Sequence, residues 1–289
     1  MIKYDIVIPV AITDYDFLPK TIHYIHKFLE PDRIFIITNS KTTKWLPRKV
    51  VNTKNLTVID EDKLIPSLTF NTVSKLIHNR SKEFNRVGWL YQQFLKLAFA
   101  ISNISSNEYY LTWDADTLPL QTIKFFDNDN HPFFSMKTEH HQPYFDVIEK
   151  ILNINIYNSQ SYIAEHMMFC KSIVAEMLEN ISNKANKADW FFAIIEAIDP
   201  KEISCFSEFE TYGTYCLNFY PSKYKERYLP AFREAGFIQG RFISEQMLEK
   251  LSFDLYMASF ELKHFPPFPM KIIFWIYYVY IRLKKYFLS

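Results

Sequence analysis

The first sixty residues alternate short β-branched apolar runs with a helical repeat, and this alternation constrains the fold more than any other feature of the chain. Tyr4 to Val10 is a short apolar run ending at Pro9-Val10, the pattern of a buried strand. Leu18, Ile22, Ile25 and Leu29 then recur at helical spacing. Arg33 to Thr38 reads as a second buried strand, closed by Asn39-Ser40. Leu56 to Ile59 reads as a third, running into Asp60-Glu61-Asp62. Strand, helix and strand in this order predict an α/β fold with a parallel sheet and flanking helices. Ligands of such sheets sit at the carboxyl ends of the strands. Those ends are Pro9 to Thr13, including Val10 and Ala11, then Thr38 to Ser40 with Asn39, and Asp60 to Asp62.

Further along, Trp89 to Ile101 contains no Pro or Gly and is expected to be helical. Tyr109 to Trp113 is a strand that runs straight into Asp114, and Phe133 to Met136 is another. Ser161 to Cys170 leads into a helix carried by Val174, Met177 and Leu178. Trp190 to Ile198 is a helix stopped by Pro200. The asparagine-rich stretches Asn153 to Asn158 and Asn180 to Asn186 are expected to be surface loops. The chain shows no internal repeat and no Gly/Ser linker, so a single domain over residues 1–265 with a separable tail at 266–289 is the simplest organisation.

Glycine is scarce. Only Gly88, Gly213, Gly236 and Gly240 occur. A dinucleotide fingerprint needs three closely spaced glycines after a strand, and a P-loop needs Gly, four residues, then Gly-Lys. Neither spacing is present, so a bound nucleotide needs another device to hold its phosphates. The net charge of +1 gives no overall electrostatic footprint for nucleic acid. Three cysteines without a Cys-x-x-Cys pair argue against a disulfide framework or structural zinc and fit a reduced, cytoplasmic setting. The N-terminus opens as a strand, not as a charged segment before a long apolar run, so no signal peptide is expected.

Asp114 and Asp116 answer the phosphate question. They lie one residue apart just past the apolar strand, in Tyr109-Tyr-Leu-Thr-Trp-Asp-Ala-Asp-Thr-Leu-Pro. Carboxylates suit Mg²⁺ or Mn²⁺, and Mg²⁺ is commonly held by one or two carboxylates together with substrate phosphates. An ion at this turn would replace a glycine-rich loop and act as a Lewis acid toward a leaving diphosphate. Asp-x-Asp alone matches often by chance. Its position after a strand and before Thr-Leu-Pro gives it weight.

With these residues in view, the chain resembles GT-A-fold glycosyltransferases, whose metal-binding Asp-x-Asp follows a strand of a Rossmann-like, mostly parallel sheet. More narrowly, it resembles a bacterial group found in surface-polysaccharide gene clusters and known only as a domain of unknown function. Gly88-Trp-Leu-Tyr-Gln-Gln-Phe-Leu-Lys-Leu97, Ile163-Ala-Glu-His-Met-Met-Phe169 and Phe206-Ser-Glu-Phe-Glu-Thr-Tyr-Gly213 carry that likeness, which extends over roughly Ile2 to Tyr220. The resemblance implies a nucleoside diphosphate sugar donor, a divalent cation, and a saccharide or lipid-linked acceptor in lipopolysaccharide or capsule synthesis. It also implies a nucleotide-binding half over 1–117 and an acceptor half over 118–265.

Other residues are read beside this centre. Gln93 and Lys96 share a helix face, and a Lys aimed at a diphosphate would add positive charge beside the metal. Glu165, a possible general base and so a catalytic candidate, and His166, whose type is a common metal ligand, sit at a strand–helix junction. The GT-A pattern uses such a region for the sugar and acceptor pocket. Glu208 and Glu210 would face one side of a strand, and Glu208 is the expected base of an inverting reaction. His264 is a candidate third metal ligand, because some GT-A enzymes complete the metal shell with a C-terminal His. This chain lacks the longer His-Gly-Lys-Pro-Trp-like pattern of one retaining family.

The tail from Lys271 to Ser289 is unusual. Ile272 to Ile281 is ten residues without a charge, rich in Trp and Tyr and followed by Arg282, Lys284 and Lys285. A helix this short spans about 15 Å, half of a bilayer core. It is expected either to dock at the cytoplasmic face of a membrane or to pack on the domain or on a partner subunit. Two rival readings are a non-catalytic scaffold of a polysaccharide assembly complex and a sugar-phosphate nucleotidyltransferase. The second is weakened because Ala11-Ile-Thr-Asp-Tyr-Asp stands where such enzymes carry a glycine-rich basic loop.

Overall fold

The computed structural model describes residues 2–154 and 161–288. Its strands are β1 (Tyr4–Pro9), β2 (Ile34–Thr38), β3 (Leu56–Asp60), β4 (Tyr109–Trp113), β5 (Thr117–Pro119), β6 (Phe133–Ser135), β7 (His166–Cys170), β8 (Lys225–Arg227), β9 (Ala231–Phe232) and β10 (Met257–Ser259). Its α-helices are α1 (Leu18–Phe28), α2 (Arg48–Val51), α3 (Phe70–Arg80), α4 (Val87–Ala98), α5 (Gln142–Leu152), α6 (Lys171–Ala185), α7 (Trp190–Ala197), α8 (Glu208–Phe219), α9 (Gly236–Gln239), α10 (Glu245–Leu251) and α11 (Met270–Leu288). The mostly parallel central sheet has five strands in the order β3-β2-β1-β4-β7. The α/β class expected from the first sixty residues is therefore the one observed. Strand order reverses between β1 and β4, which makes their carboxyl ends the switch point where open α/β sheets bind ligands.

The chain divides into two compact units, each built from separated stretches. Unit 1 comprises Met1–Asp5, Asp60–Thr112 and Phe126–Tyr228. Unit 2 comprises Ile6–Ile59, Trp113–Phe125 and Leu229–Ser289. In unit 2, β1 and β2 pair in parallel with Ile6 opposite Ile34 and Ile8 opposite Ile36, and all four side chains are fully buried. A second sheet, β5-β10-β9, sets Thr117 opposite Ser259. Its core joins Phe17, Tyr24, Leu118, Ile243, Leu248 and Phe260. Gly240 has a φ of +61°, and a Cβ there would strike the Phe274 ring of α11, so only glycine lets the last helix seat.

Unit 1 holds the short β6-β8 sheet and an aromatic core. Phe134 stacks on Tyr224 at 3.9 Å, and Tyr110 on Phe169 at 5.2 Å. Gly213 leaves room on α8 for the Tyr162 ring.

Three sequence expectations are corrected. Glu208 and Glu210 lie in the first turn of α8 and not on a strand. Ser207-Glu-Phe-Glu210 is a Ser-x-x-Glu N-terminal signature, and the Ser207 side chain accepts from the Glu210 N–H at 3.2 Å. The second asparagine-rich stretch is helical and not a loop. α6 carries Asn180 and Asn183 and ends at Ala185, with Asn186 as its left-handed cap. Ile173, Val174, Met177, Leu178 and Ile181 keep a buried apolar stripe that overrides the asparagines. His166 opens β7, and the following helix begins only at Lys171, so Glu165-His166 precedes a strand instead of joining a helix. Of the first asparagine-rich stretch, Asn153 is a left-handed helix cap, while 155–158 lie outside the described residues.

Candidate active site

In unit 2, the chain leaving Trp113 enters a tight turn over Asp114, Ala115 and Asp116, and each backbone carbonyl of that turn is engaged. Asp114 O accepts from Thr117 N at 3.1 Å, and Asp116 O from Phe260 N at 2.8 Å. Ala115 O accepts from Thr21 Oγ1 on α1 at 2.6 Å. The Trp113 indole N–H donates to Thr117 O at 2.8 Å, and the Thr117 and Ser259 hydroxyls meet at 2.8 Å. With its carbonyls committed to the fold, the turn offers chemistry through its carboxylates. Both aspartates are half-buried.

The surroundings of Asp116 are strongly acidic. Burial above all, then Asp14, pushes its carboxyl up to about 8; Arg241 opposes the shift, while Asp114 and Glu261 add to it. Arg241 is 6% exposed. Its Nε donates to Phe260 O at 3.0 Å, its Nη1 to Thr13 O at 2.9 Å, and its Nη2 to Asp14 Oδ1. Asp14, Asp114, Asp116 and Glu261 thus act together with the Arg241 guanidinium near the carboxyl ends of β1 and β4. Two carboxylates on one turn, in a negative field, suit a hard divalent cation. Asp114 and Asp116 are the residues that would hold it.

The strand-end residues expected to line a nucleoside pocket fall into two groups. Pro9 and Val10 are buried, and Ala11 and Asn39 are half-buried. The Thr38 hydroxyl donates to Val10 O at 2.8 Å and meets the buried Tyr15 hydroxyl at 2.6 Å, so it ties the end of β2 to the end of β1. Asn39 O accepts from Thr42 N at 3.0 Å. Asp60 belongs to unit 1, where its carboxylate caps the next turn through Asp62 N at 3.3 Å, with Lys63 at 3.7 Å.

His264, in unit 2, rests against Phe237 with ring centroids 4.6 Å apart. Its Nδ1 is buried without a hydrogen-bond partner among the described residues. Burial lowers its pKa, and the charges that act on it are led by Glu261.

In unit 1, Lys96 and Glu208 form an ion pair of 2.8 Å with side chains only 9% and 5% exposed. Gln93 Oε1 accepts the Glu208 N–H at 3.1 Å, while Gln93 Nε2 is buried without a partner among the described residues. The Lys96 ammonium also lies 4.3 Å from the Phe209 ring centre. Lys96 and Glu208, read from sequence as serving different partners, therefore meet each other. Glu210 accepts from Ser161 Oγ at 2.7 Å and Tyr162 N at 3.1 Å; burial raises its pKa and these bonds oppose the rise. Glu165 lies 3.9 Å from Lys137. His166 Nε2 meets Ser135 Oγ at 3.1 Å, and burial, with Arg227 and Lys137 nearby, lowers its pKa to about 3.

Residues 2–234 match the model of a family described as a family of unknown function, DUF6492. The chain belongs to the DUF6492 family. No curated protein matches it. Among solved structures, the DUF6492 chain is similar to the galactosyltransferase LgtC in complex with donor and acceptor sugar analogs, at 10% identity and a TM-score of 0.46 over 89% of this chain and 86% of that one. It is also similar to mouse xyloside xylosyltransferase 1, at 8% identity and a TM-score of 0.43 over 93% and 100% of the two chains. A third is the glycosyltransferase GlyE of Streptococcus pneumoniae, at 10% identity and a TM-score of 0.43 over 98% of this chain and 63% of that one.

Sequence reading misses Asp14, Arg241 and Glu261 of the DUF6492 chain. The strand-end rule stops one residue short of Asp14. Arg241 reaches Asp14 across 227 positions, and no local pattern announces such a contact. Arg241, Glu261 and α11 lie beyond the residues that the family model matches.

Proposed function

We propose that this chain is a metal-dependent glycosyltransferase of GT-A type. It would move a sugar from a nucleoside diphosphate sugar to a saccharide or lipid-linked acceptor in bacterial surface polysaccharide synthesis. The observation that carries this reading is the Asp114-Ala-Asp116 turn, which holds two carboxylates, has all its carbonyls engaged and lies at the sheet's switch point.

In this reading Asp114 and Asp116 hold Mg²⁺ or Mn²⁺, with His264 the further candidate ligand. The ion supplies charge neutralisation for the departing diphosphate. Thr21, Trp113 and Phe260 keep the turn rigid, so the carboxylates need no reorganisation when donor arrives. Arg241 fixes Asp14 and limits the repulsion among the acids. Pro9, Val10, Ala11, Thr38 and Asn39 lie at strand ends suited to the nucleoside. The roles of Gln93, Lys96 and Asp60 toward the donor, of His166 and Glu165 toward sugar or acceptor, and of Glu208 or Glu210 as base rest on their chemistry and sequence context.

The test is donor hydrolysis or transfer with Mn²⁺ or Mg²⁺, in the wild type and in Asp116→Ala, across a panel of nucleotide sugars. Metal-dependent turnover in the wild type, lost in a variant with an intact circular dichroism spectrum, is expected. Equal metal-dependent turnover in both would remove the reading.

A further inference from the structure

The C-terminal helix is amphipathic in an inverted sense. α11 is a 19-residue helix, and its inner face seats on unit 2 through a few specific contacts. Phe274 and Ile281 are fully buried. Phe274 lies 5.3 Å from Phe265, and Tyr277 lies 5.1 Å from Phe242, as ring centroids. Lys284 reaches Asp16 at 2.9 Å. A helix on a globular surface ordinarily turns polar residues to the solvent. Here the outer face is apolar. Ile272, Trp275, Ile276, Tyr280, Leu283 and Phe287 are between 51% and 73% exposed. At about 100° per residue they fall within one arc of about 140°, opposite Phe274 and Ile281. The two ends of the helix are thus joined by one continuous exposed apolar stripe, and stripes of this kind mark interaction sites.

The charges select the partner. The exposed Lys271 and Arg282 border one side of the arc, while Lys284 on the other is held by Asp16. From Leu262 to Ser289 the sequence carries no Asp or Glu. Trp275, Tyr280 and Tyr286 are the residue types that favour a membrane–water interface. No helix of the described residues is long and apolar enough to cross a membrane. We propose that α11 lies in the plane of an anionic bilayer, with the Ile272-to-Phe287 stripe sunk into the headgroup–acyl boundary and the flanking Lys271 and Arg282 toward the acidic headgroups. The seat on unit 2 keeps the opposite face engaged, so the folded protein binds without releasing the helix. This surface is independent of the transferase reading and stands or falls without it.

The test is sedimentation of the full chain with vesicles of phosphatidylcholine alone, or of phosphatidylcholine with phosphatidylglycerol. Binding at least about tenfold tighter to the anionic vesicles, weakened by salt, is expected. Ile276→Asn/Leu283→Asn/Phe287→Asn should abolish binding to both without changing the melting temperature, since these side chains are exposed. Lys271→Gln/Arg282→Gln should remove most of the preference for anionic lipid. Absence of vesicle binding by the wild type, binding unchanged in the apolar triple variant, or a lipid preference unchanged in the charge variant overturns the proposal. So does a concentration-dependent dimer that the apolar variant dissolves in a protein that ignores vesicles, because the stripe then belongs to a second copy of the chain.

Discussion

Arg241 donates through Nη2 to Asp14 and through Nη1 to the carbonyl of Thr13, so one guanidinium pins the segment after β1 within the electrostatic reach of Asp116. Removing this group leaves half-buried acids without their counter-charge and three acceptors without their donor. Arg241→Met should cost about 3–5 kcal/mol in urea unfolding. Arg241→Lys should restore less than half, since an ammonium cannot reproduce a three-point guanidinium contact. A loss under about 1 kcal/mol for Arg241→Met would show that the acids do not depend on it.

The acidity of Asp116 gives a pH signature in the metal-free protein. Its folded pKa is raised from 3.8 to about 8, so between those values the folded state holds a proton that the unfolded state has lost. Stability must then fall as pH rises from about 4 to about 8, by at most about 1.4 kcal/mol per pH unit from this group. With chelator present, the difference in melting temperature between Asp116→Asn and wild type should grow in the variant's favour from about pH 5 to about pH 8. Added Mn²⁺ should reverse the wild-type trend by favouring the carboxylate. A difference that stays flat with pH would place the titration elsewhere.

Lys96 and Glu208 form a buried pair whose single and double removals should differ sharply. Lys96→Met or Glu208→Gln alone should destabilise by about 3–5 kcal/mol, because each removes a buried counter-charge of the other. The double variant should lose less than the sum, with a coupling energy of about 1–3 kcal/mol. Strict additivity in chemical denaturation would show that the two charges do not compensate one another.

His166 contributes to the acid sensitivity of unit 1. Its folded pKa is lowered from 6.5 to about 3, so between those values the unfolded state binds the extra proton and stability falls as pH falls. His166→Gln should be less stable than wild type near neutral pH, where the Ser135 contact is weakened, and should close that gap by about pH 4. A gap that widens toward acid would reverse the sign and refute the buried neutral imidazole.

The features legible in the sequence are local ones. β1, β2 and β4 are apolar runs whose burial needs only their own composition, and α4 follows from an uninterrupted helical stretch. The Asp114-Ala-Asp116 turn is legible because a strand ending in two acids has few structural uses. A strand reading of Glu208 and Glu210 fails although Ser207-x-x-Glu210 is a recognisable helix start. Alternation over five residues competes there with a capping signal of four, and the Ser207 contact decides it. Which charges meet is a property of the tertiary structure. Arg241 finds Asp14, and Glu208 finds both the Lys96 ammonium and, 115 positions away, the Gln93 side chain that holds the same helix start. The outward face of α11 is settled the same way. Composition fixes how much apolar surface that helix has, whereas the seat for Phe274 beside Gly240 fixes which side of it the protein covers. Such pairings depend on distances closed by the whole chain, and no window of neighbouring residues contains them.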